Sequence, residues 1–437
     1  MTTARRFVLD RSWSRHDDTI VAGSPLRILR LSAAGSRAAA RLEDAAARAE
    51  PIDDPVALRL AERLIDLGAI HPVAGASTRY ELDDITVVIP RHRRSSGEAD
   101  VDVDVGSVRT ITVDDGSQPP LPAATITLAA NRGPAAARTA GLAAVETDLV
   151  AFIDDDVEVP ADWLADLIGH FDDDRVALVA PRVASRPGRG LIERIEESHS
   201  PLDLGDEPAR IRVTTRVSYV PAAAIICRRS ALEAVGGFDE TLRFGEDVDL
   251  VWRLDAAGWR CRYDPSVVVH HRPRATWSAW ARQRIDYASS SGPLARRHRG
   301  ALAPARVSPW SLGAWALAIA GAPMIGLALG FASAAALITR LPMVPARFAL
   351  GLAGRGHLYA GRQLAATVRR VWWPVVALAA LRSSAARRLL VASALVHPAT
   401  LIGDLCASVG IWRGSIAART IDPLVVRVVN WPGRTTV

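Results

Sequence analysis

An apolar run, Leu149 to Ile153, stops on three consecutive carboxylates, Asp154, Asp155 and Asp156. The run reads as a buried strand, and three adjacent anions cannot follow it into an apolar core. One reading is an acidic turn facing water. The other is a cation site at the C-terminal edge of a sheet, since hard carboxylate oxygens suit Mg²⁺ or Mn²⁺, and magnesium in such places commonly holds substrate phosphates as well. Alternate residues of an extended chain share a face, so Asp154 and Asp156 form the expected metal pair and Asp155 points elsewhere, with ribose as its expected contact.

Other segments end or begin in the same way. Ile111 and Val113 belong to a second apolar strand that stops on Asp114, Asp115 and the Gly116-Ser117 turn. Asn131 is expected to N-cap the next helix, and Arg132 and Arg138 offer planar forks to phosphate oxygens, although Arg138 fits a solvated helix face equally well. Gly236 to Glu240 precedes Gly245-Glu246-Asp247-Val248-Asp249, where carboxylates open a helix whose apolar residues (Val248, Val251, Trp252, Leu254) recur at helical spacing. His270 and His271 end the strand Val267 to Val269. A neutral imidazole is a good ligand, and only one of two neighbours can face the acidic run; His271 is the expected third ligand, with a hydrogen-bonded surface histidine as the alternative.

Composition narrows the class. Of 437 residues, 49% are hydrophobic and 23% charged, which describes a folded chain with room for two or three domains. The net charge is +6 and every basic side chain is arginine, but the arginines are spread along the chain rather than striped with aromatics, so nucleic acid is not an expected partner. Cys227, Cys261 and Cys406 lack ligand spacing and suit a reducing compartment. The charged, polar start is not that of a secretory leader.

Residues 1–80 read as a small α+β module. Arg6 to Asp10 and Thr19 to Ala22 are expected strands, Ser24-Pro25 a helix start, and Ser36 to Ala49 and Pro55 to Leu67 amphipathic helices. Glu43, Asp44, Glu50, Asp53, Asp54, Glu62 and Asp66 make those helices too acidic to face a phosphate backbone. Residues 81–300 alternate strand and helix patterns, which predicts a largely parallel α/β sheet with its ligand site at strand C-termini. Gly97, Gly106 and the alternating Val101, Val103 and Val105 predict a short or irregular first crossover. From 301 to 437 the chain is apolar and helical. Val307 to Thr339 holds no charged residue, more than the ~20 residues that span a bilayer. Arginines flank it, and further apolar stretches run from Val371 to Leu381 and Leu389 to Leu405, so membrane association is expected, with a buried hairpin as the alternative.

The set formed by Thr86-Val87-Val88-Ile89-Pro90, Val113-Asp114-Asp115-Gly116-Ser117, Asn131-Arg132-Gly133 with Ala137-Arg138, Asp154-Asp155-Asp156 and Gly245-Glu246-Asp247-Val248-Asp249-Leu250 resembles the family 2 glycosyltransferases of the GT-A fold. The first module resembles winged-helix-like, PqqD-like peptide-recognition domains. The whole layout, with Gly23 to Leu31 and His271 to Trp277, resembles the transferases of mycofactocin biosynthesis. The resemblance implies an inverting transfer with Asp247 as the base, Glu246 and Asp249 being alternates. It puts Pro90 and Asp115 at the nucleotide, Asp115 on uracil or ribose. It implies a nucleotide-sugar donor (UDP-glucose), a β-1,4 linkage and a peptide-derived small-molecule acceptor, with the enzyme at the cytoplasmic face of the cell membrane. One departure stands at Arg91-His92-Arg93-Arg94, where the family carries an acidic residue. A second is Arg282 to Tyr287, which lacks the Gln-x-x-Arg-Trp signature of processive relatives and points to addition of one or several sugars. A lipid- or cell-wall-directed transferase and a non-catalytic nucleotide-sugar-binding scaffold are the competing readings.

Overall fold

The computed structural model describes residues 5–93, 103–274 and 276–429. Two compact units divide it, Met1–Thr276 and Trp277–Val437. The division falls before the expected boundary near residue 300, because the helices after Thr276 pack with the C-terminal region.

The first unit opens with Phe7–Leu9 (β1), Ser14–His16 (β2), Thr19–Ala22 (β3), Arg27–Arg30 (β4), Ala33–Arg48 (α1), Pro55–Asp66 (α2) and Ile70–Pro72 (β5). Ser32 caps α1 by accepting from the Gly35 amide, and Asp54 caps α2 by accepting from that of Ala57. Ile20, Leu42, Leu64 and Ile70 form the centre of this module's core. The helix expected after Ser24-Pro25 is instead β4, which pairs antiparallel with β3, Ala22 opposite Arg27. The β3 ladder satisfies the backbone of Arg27–Arg30, and Ser32 opens α1 shortly after it. Two helices, not three, complete the module.

The rest of this unit is built on a nine-stranded sheet. Its strands are Ile85–Arg91 (β6), Arg109–Asp114 (β7), Ile126–Thr127 (β8), Leu149–Ile153 (β9), Val157–Glu158 (β10), Val176–Ser185 (β11), Ala209–Arg210 (β12), Ala224–Arg228 (β13) and Arg260–His271 (β14). The order is β10-β14-β11-β13-β9-β6-β7-β8, with β12 also on β14. Strands β8, β7, β6 and β9 run parallel, but β13 enters antiparallel between β9 and β11, and β10 and β12 are antiparallel to β14, so the sheet is more mixed than expected. The antiparallel entry of β13 matters for the site: its first residue, Ala224, lies opposite Ile153, at the edge where β9 ends.

Helices Pro134–Ala143 (α3), Trp163–Ile168 (α4), Leu191–His199 (α5), Arg229–Val235 (α6) and Glu246–Ala256 (α7) accompany the sheet. Gly133, not Asn131, occupies the N-cap of α3, because Pro134 fixes the first helical turn; the Asn131 side chain accepts from Arg243 at 3.0 Å. In the described part of the first crossover, Val103, Val105 and Val108 pack against the core without a helix. Arg94, Gly97, Val101 and Ala275 lie outside the described residues. The two parts of this unit are joined by Arg260, 1% exposed, which donates to Glu62 (2.7 Å) and Asp66 (2.9 Å) of α2 and to Asp173 (2.8 Å).

The second unit holds Trp277–Ser289 (α8), Ser291–Arg297 (α9), Pro309–Ala320 (α10), Pro323–Arg340 (α11), Ala346–Thr367 (α12), Trp373–Ala380 (α13), Ser384–Val396 (α14) and Leu401–Ala417 (α15), with the short strands Arg306–Val307 (β15) and Arg427–Val428 (β16) paired in parallel. Gly410 and Gly414 let α15 close on α8; a Cβ at either would sit 2.2 Å from the Ile285 carbonyl or 2.0 Å from that of Ser289. The uncharged stretch is broken at Gly321 into α10 and α11. By length and composition α11 is long and apolar enough to cross a membrane, and Ser384–Val396 with Pro398–Ala417 passes the same test only as a pair bent by 91°.

Candidate active site

The C-terminal ends of β6, β7 and β9 converge on one edge, and each brings carboxylates or their partners there. Asp114 is fully buried at the end of β7 and accepts from the amides of Ser117 and Leu121, at 2.9 Å each. Burial alone would raise its pKa, but those hydrogen bonds and the Ser117 hydroxyl hold it below the usual carboxylate range. Asp115 accepts from the amides of Arg132 and Gly133, both at 2.8 Å. Gly116 makes this possible: its φ is +70°, and a Cβ there would lie 2.3 Å from the Ala130 carbonyl carbon. The expected nucleotide contact, Asp115, thus has each oxygen engaged by backbone and fixes the turn before α3. His92 bonds through Nδ1 to the Asp115 carbonyl at 2.9 Å, and the Arg93 amide donates to Ser117 Oγ at 2.8 Å, so the loop after Pro90 is stitched to the same turn.

Arg138 departs from the phosphate contact expected of it. It is 2% exposed on α3 and committed inward: Nη2 donates to Asp154 at 2.6 Å and Nη1 to Glu246 at 2.8 Å. Phe238, from the Gly-Gly-Phe-Asp turn, lies under the guanidinium at 5.6 Å and meets Phe152 of β9 edge-on at 5.1 Å. Burial would lower the arginine's pKa, yet Asp154 and Glu246 push it higher still, so the cation is permanent. Arg132 is the exposed arginine of the pair and is bound to Glu240 at 2.5 Å.

Asp247 reaches the same edge from α7. Gly245, at φ +79°, is the N-cap that turns the chain into this helix. The Asp247 carboxylate accepts from the Val248 amide at 2.7 Å and from Ala222 at 3.2 Å. The next residue, Ala223, accepts through its carbonyl from the Asp154 amide at 2.9 Å. A single pair of residues therefore separates the α7 carboxylate from the acidic end of β9. Burial raises the pKa of both Glu246 and Asp247; the neighbouring Asp247 charge adds to the rise at Glu246, and Asp154 adds to that at Asp247. Asp249, the other alternate, is occupied by Arg253 at 2.6 Å on the far side of the helix turn.

Along the acidic run the three carboxylates separate. Asp156 faces His271, 3.2 Å from Nε2, across the β10–β14 pair, and Arg274 stands 3.4 Å away. Burial would raise the Asp156 pKa, but the hydrogen bond and charge of His271, then Arg274, keep it low. Asp155 is pushed up to about 7 by burial and by Asp156 and Asp154, with Arg91 pulling the other way. Among the described residues no group of three or more His, Cys, Asp or Glu is set to hold a metal ion. The expected trio Asp154, Asp156 and His271 is divided, since Asp154 has turned to Arg138. Asp156 and His271 remain as two adjacent donors, and the anion crowding that adds to the effect of burial at Asp155 is what a nearby cation would relieve. Two protein donors suit an ion that completes its shell with water and diphosphate oxygens. Ser185, opposite His271 in the β11–β14 register, buries a hydroxyl that has no partner among the described residues at this same edge.

The sequence patterns contain Asp114, Phe238 and Arg274 but gave none of them, nor Ser185, a role in the site. Only Asp114 had a signal, its place as the last residue of an apolar strand.

A mixed sheet whose strand ends gather acidic turns, with a carboxylate-opened helix beside them, defines a GT-A glycosyltransferase domain. Residues 107–236 match the family described as glycosyl transferase family 2. The chain belongs to the family 2 glycosyltransferases and is a glycosyltransferase. Along nearly its whole length it is similar to the pre-mycofactocin glycosyltransferase of Mycobacterium tuberculosis, at 37% identity covering 93% of each chain. It is also similar to the succinoglycan biosynthesis protein ExoO of Rhizobium meliloti, 31% identical over 38% of this chain and 52% of that one. Among solved structures, a mannosyltransferase from Pyrobaculum calidifontis superposes with a TM-score of 0.43 at 18% identity, over 80% of this chain and 92% of that one.

Proposed function

We infer that the chain is an inverting, divalent-metal-dependent transferase that moves a hexose, glucose from UDP-glucose in a β-1,4 linkage, onto a peptide-derived redox cofactor precursor of the mycofactocin type. The observation that carries this reading is the Arg138 bridge, which ties the acidic end of β9 to the start of α7 and so holds Asp247 beside the Asp154–Asp156 turn. The similarity over 93% of each chain supports the acceptor class.

Asp247 is the base in this reading. It takes the proton of the acceptor hydroxyl as the oxygen attacks the anomeric carbon, and its raised pKa suits that exchange. A single displacement inverts the anomeric centre. Asp156 and His271 would hold the metal, and a divalent ion there would stabilise the negative charge developing on the leaving diphosphate. Arg132 and the loop after Pro90 line the nucleotide side, with Asp155 toward the ribose and Asp115 shaping the turn.

The exposed apolar side chains of α11, Met324, Ile325, Leu327 and Phe331 among them, support attachment at the cytoplasmic face of the membrane. Those same side chains favour a second reading, transfer to a lipid-linked acceptor.

Purified protein, UDP-glucose and Mn²⁺ incubated with the peptide-derived precursor should give a product heavier by one or more hexoses. An unchanged precursor alongside labelled glycolipid from added membranes would reject the acceptor and establish the second reading. Nucleotide uptake without transfer to either acceptor would leave a binding scaffold.

A further inference from the structure

Within the second unit, Ala295, Arg296, Arg299, Arg419, Thr420, Asp422 and Arg427 line a cavity of about 590 Å³. Four of the lining residues are arginines and one is an aspartate. That carboxylate is already used: Asp422 accepts from the Gly300 amide at 2.6 Å and meets Arg427 at 3.5 Å. Arg296 donates to the Ala418 carbonyl at 3.2 Å, while Arg299 and Arg419 form no ion pair among the described residues. Beside the cavity, Arg306 donates to the Gly300 and Ala301 carbonyls, and its pKa is lowered by burial and then by the charge of Arg427. Cations crowded in this way repel one another unless an anion joins them.

The backbone is shaped to keep them there. Arg419 holds φ +50°, a left-handed conformation uncommon outside glycine and asparagine, immediately after the C-terminal turn of α15. The strand pair β15–β16 fixes Arg427 opposite Arg306. Ser308 then caps α10, the first of the two apolar helices, on which Trp310 is 37% exposed. The basic cavity thus adjoins, along the chain, the segment that presents the apolar surface.

We propose that this cavity binds a phosphate ester anion, either the headgroup of an acidic phospholipid or a free phosphate. An arginine fork takes two phosphate oxygens at a time, and the only carboxylate among the described residues lining the cavity, Asp422, is already engaged by Gly300 and Arg427. The lipid source rests on the membrane attachment proposed above; the free-phosphate source does not.

The test uses the full chain and two probes. Sedimentation with phosphatidylcholine vesicles reports on the apolar helices alone. Adding phosphatidylglycerol to the vesicles should strengthen binding, and an Arg299→Gln, Arg419→Asn double variant should lose about tenfold of that gain while binding neutral vesicles as before. Asparagine is chosen because it tolerates the left-handed backbone, and Arg419→Lys should retain most of the gain. Inorganic phosphate is the second probe, read by calorimetry. Phosphate uptake lost in the double variant, with no preference for anionic vesicles, would assign the free source. Equal behaviour of parent and double variant toward both anionic vesicles and phosphate would overturn the proposal. Failure to bind any vesicle would remove the membrane attachment while leaving the phosphate measurement decisive.

Discussion

Arg138 and Asp154 stand 2.6 Å apart at the end of β9, the arginine fully enclosed and the aspartate partly open to solvent. The other fork of the same guanidinium holds Glu246, so one cation sets the spacing between two acidic segments more than ninety residues apart in sequence. Arg138→Met should leave Glu246 buried without its partner. A loss of about 3–5 kcal/mol in chemical denaturation is expected. Arg138→Met combined with Glu246→Gln should recover part of it, whereas simple additivity would show that the bridge is not the cause.

Asp247→Asn preserves shape and removes the basic oxygen. Transfer should fall by about 10²- to 10⁴-fold while nucleotide binding, followed by calorimetry, stays near the parent value. Transfer at the parent rate would move the base to Glu246.

Asp156→Ala and His271→Ala should each raise the Mn²⁺ concentration needed for half-maximal turnover, by tens of fold or about that. Asp154→Asn should act mainly through Arg138, lowering stability more than metal affinity. Reversal of those two patterns would restore Asp154 as a ligand.

In the first module, burial alone would raise the pKa of Asp10, but hydrogen bonds from His71 and Ser12 bring it down to about 2. A depressed carboxylate stabilises the folded state above its unfolded pKa and loses that contribution as the pH falls through the folded value. Asp10→Asn should therefore be less stable near neutrality by about 2 kcal/mol and lose less stability than the parent between about pH 4 and pH 2. Parallel acid-denaturation curves would contradict this.

Much of this architecture could be read from the chain. Strands that stop on carboxylates gave the sheet edge, because an apolar core does not accept adjacent anions. The carboxylates of Glu246 and Asp247 marked a helix start because the N-terminal end of a helix favours negative charge. Orientation around a helix was harder. Arg138 follows Ala135, Ala136 and Ala137, and Gly141 comes next on that face, where a Cβ would strike Val88 at 2.3 Å. So close an approach to the sheet encloses even an arginine, and the run of small residues was the one available hint. Phe238 gave none, since its role depends on a ring meeting two partners distant in sequence. The strand at Arg27–Arg30 escaped notice because its ladder partner, not its own pattern, decides its form.

The Arg260 junction has a consequence for how this enzyme can be taken apart. A guanidinium sealed between α2 and the sheet, answering to acids on either side, ties the N-terminal module to the same sheet that carries the transfer edge. Cutting away those leading residues would take two of the three carboxylates that answer this cation and bare the sheet surface that α2 covers.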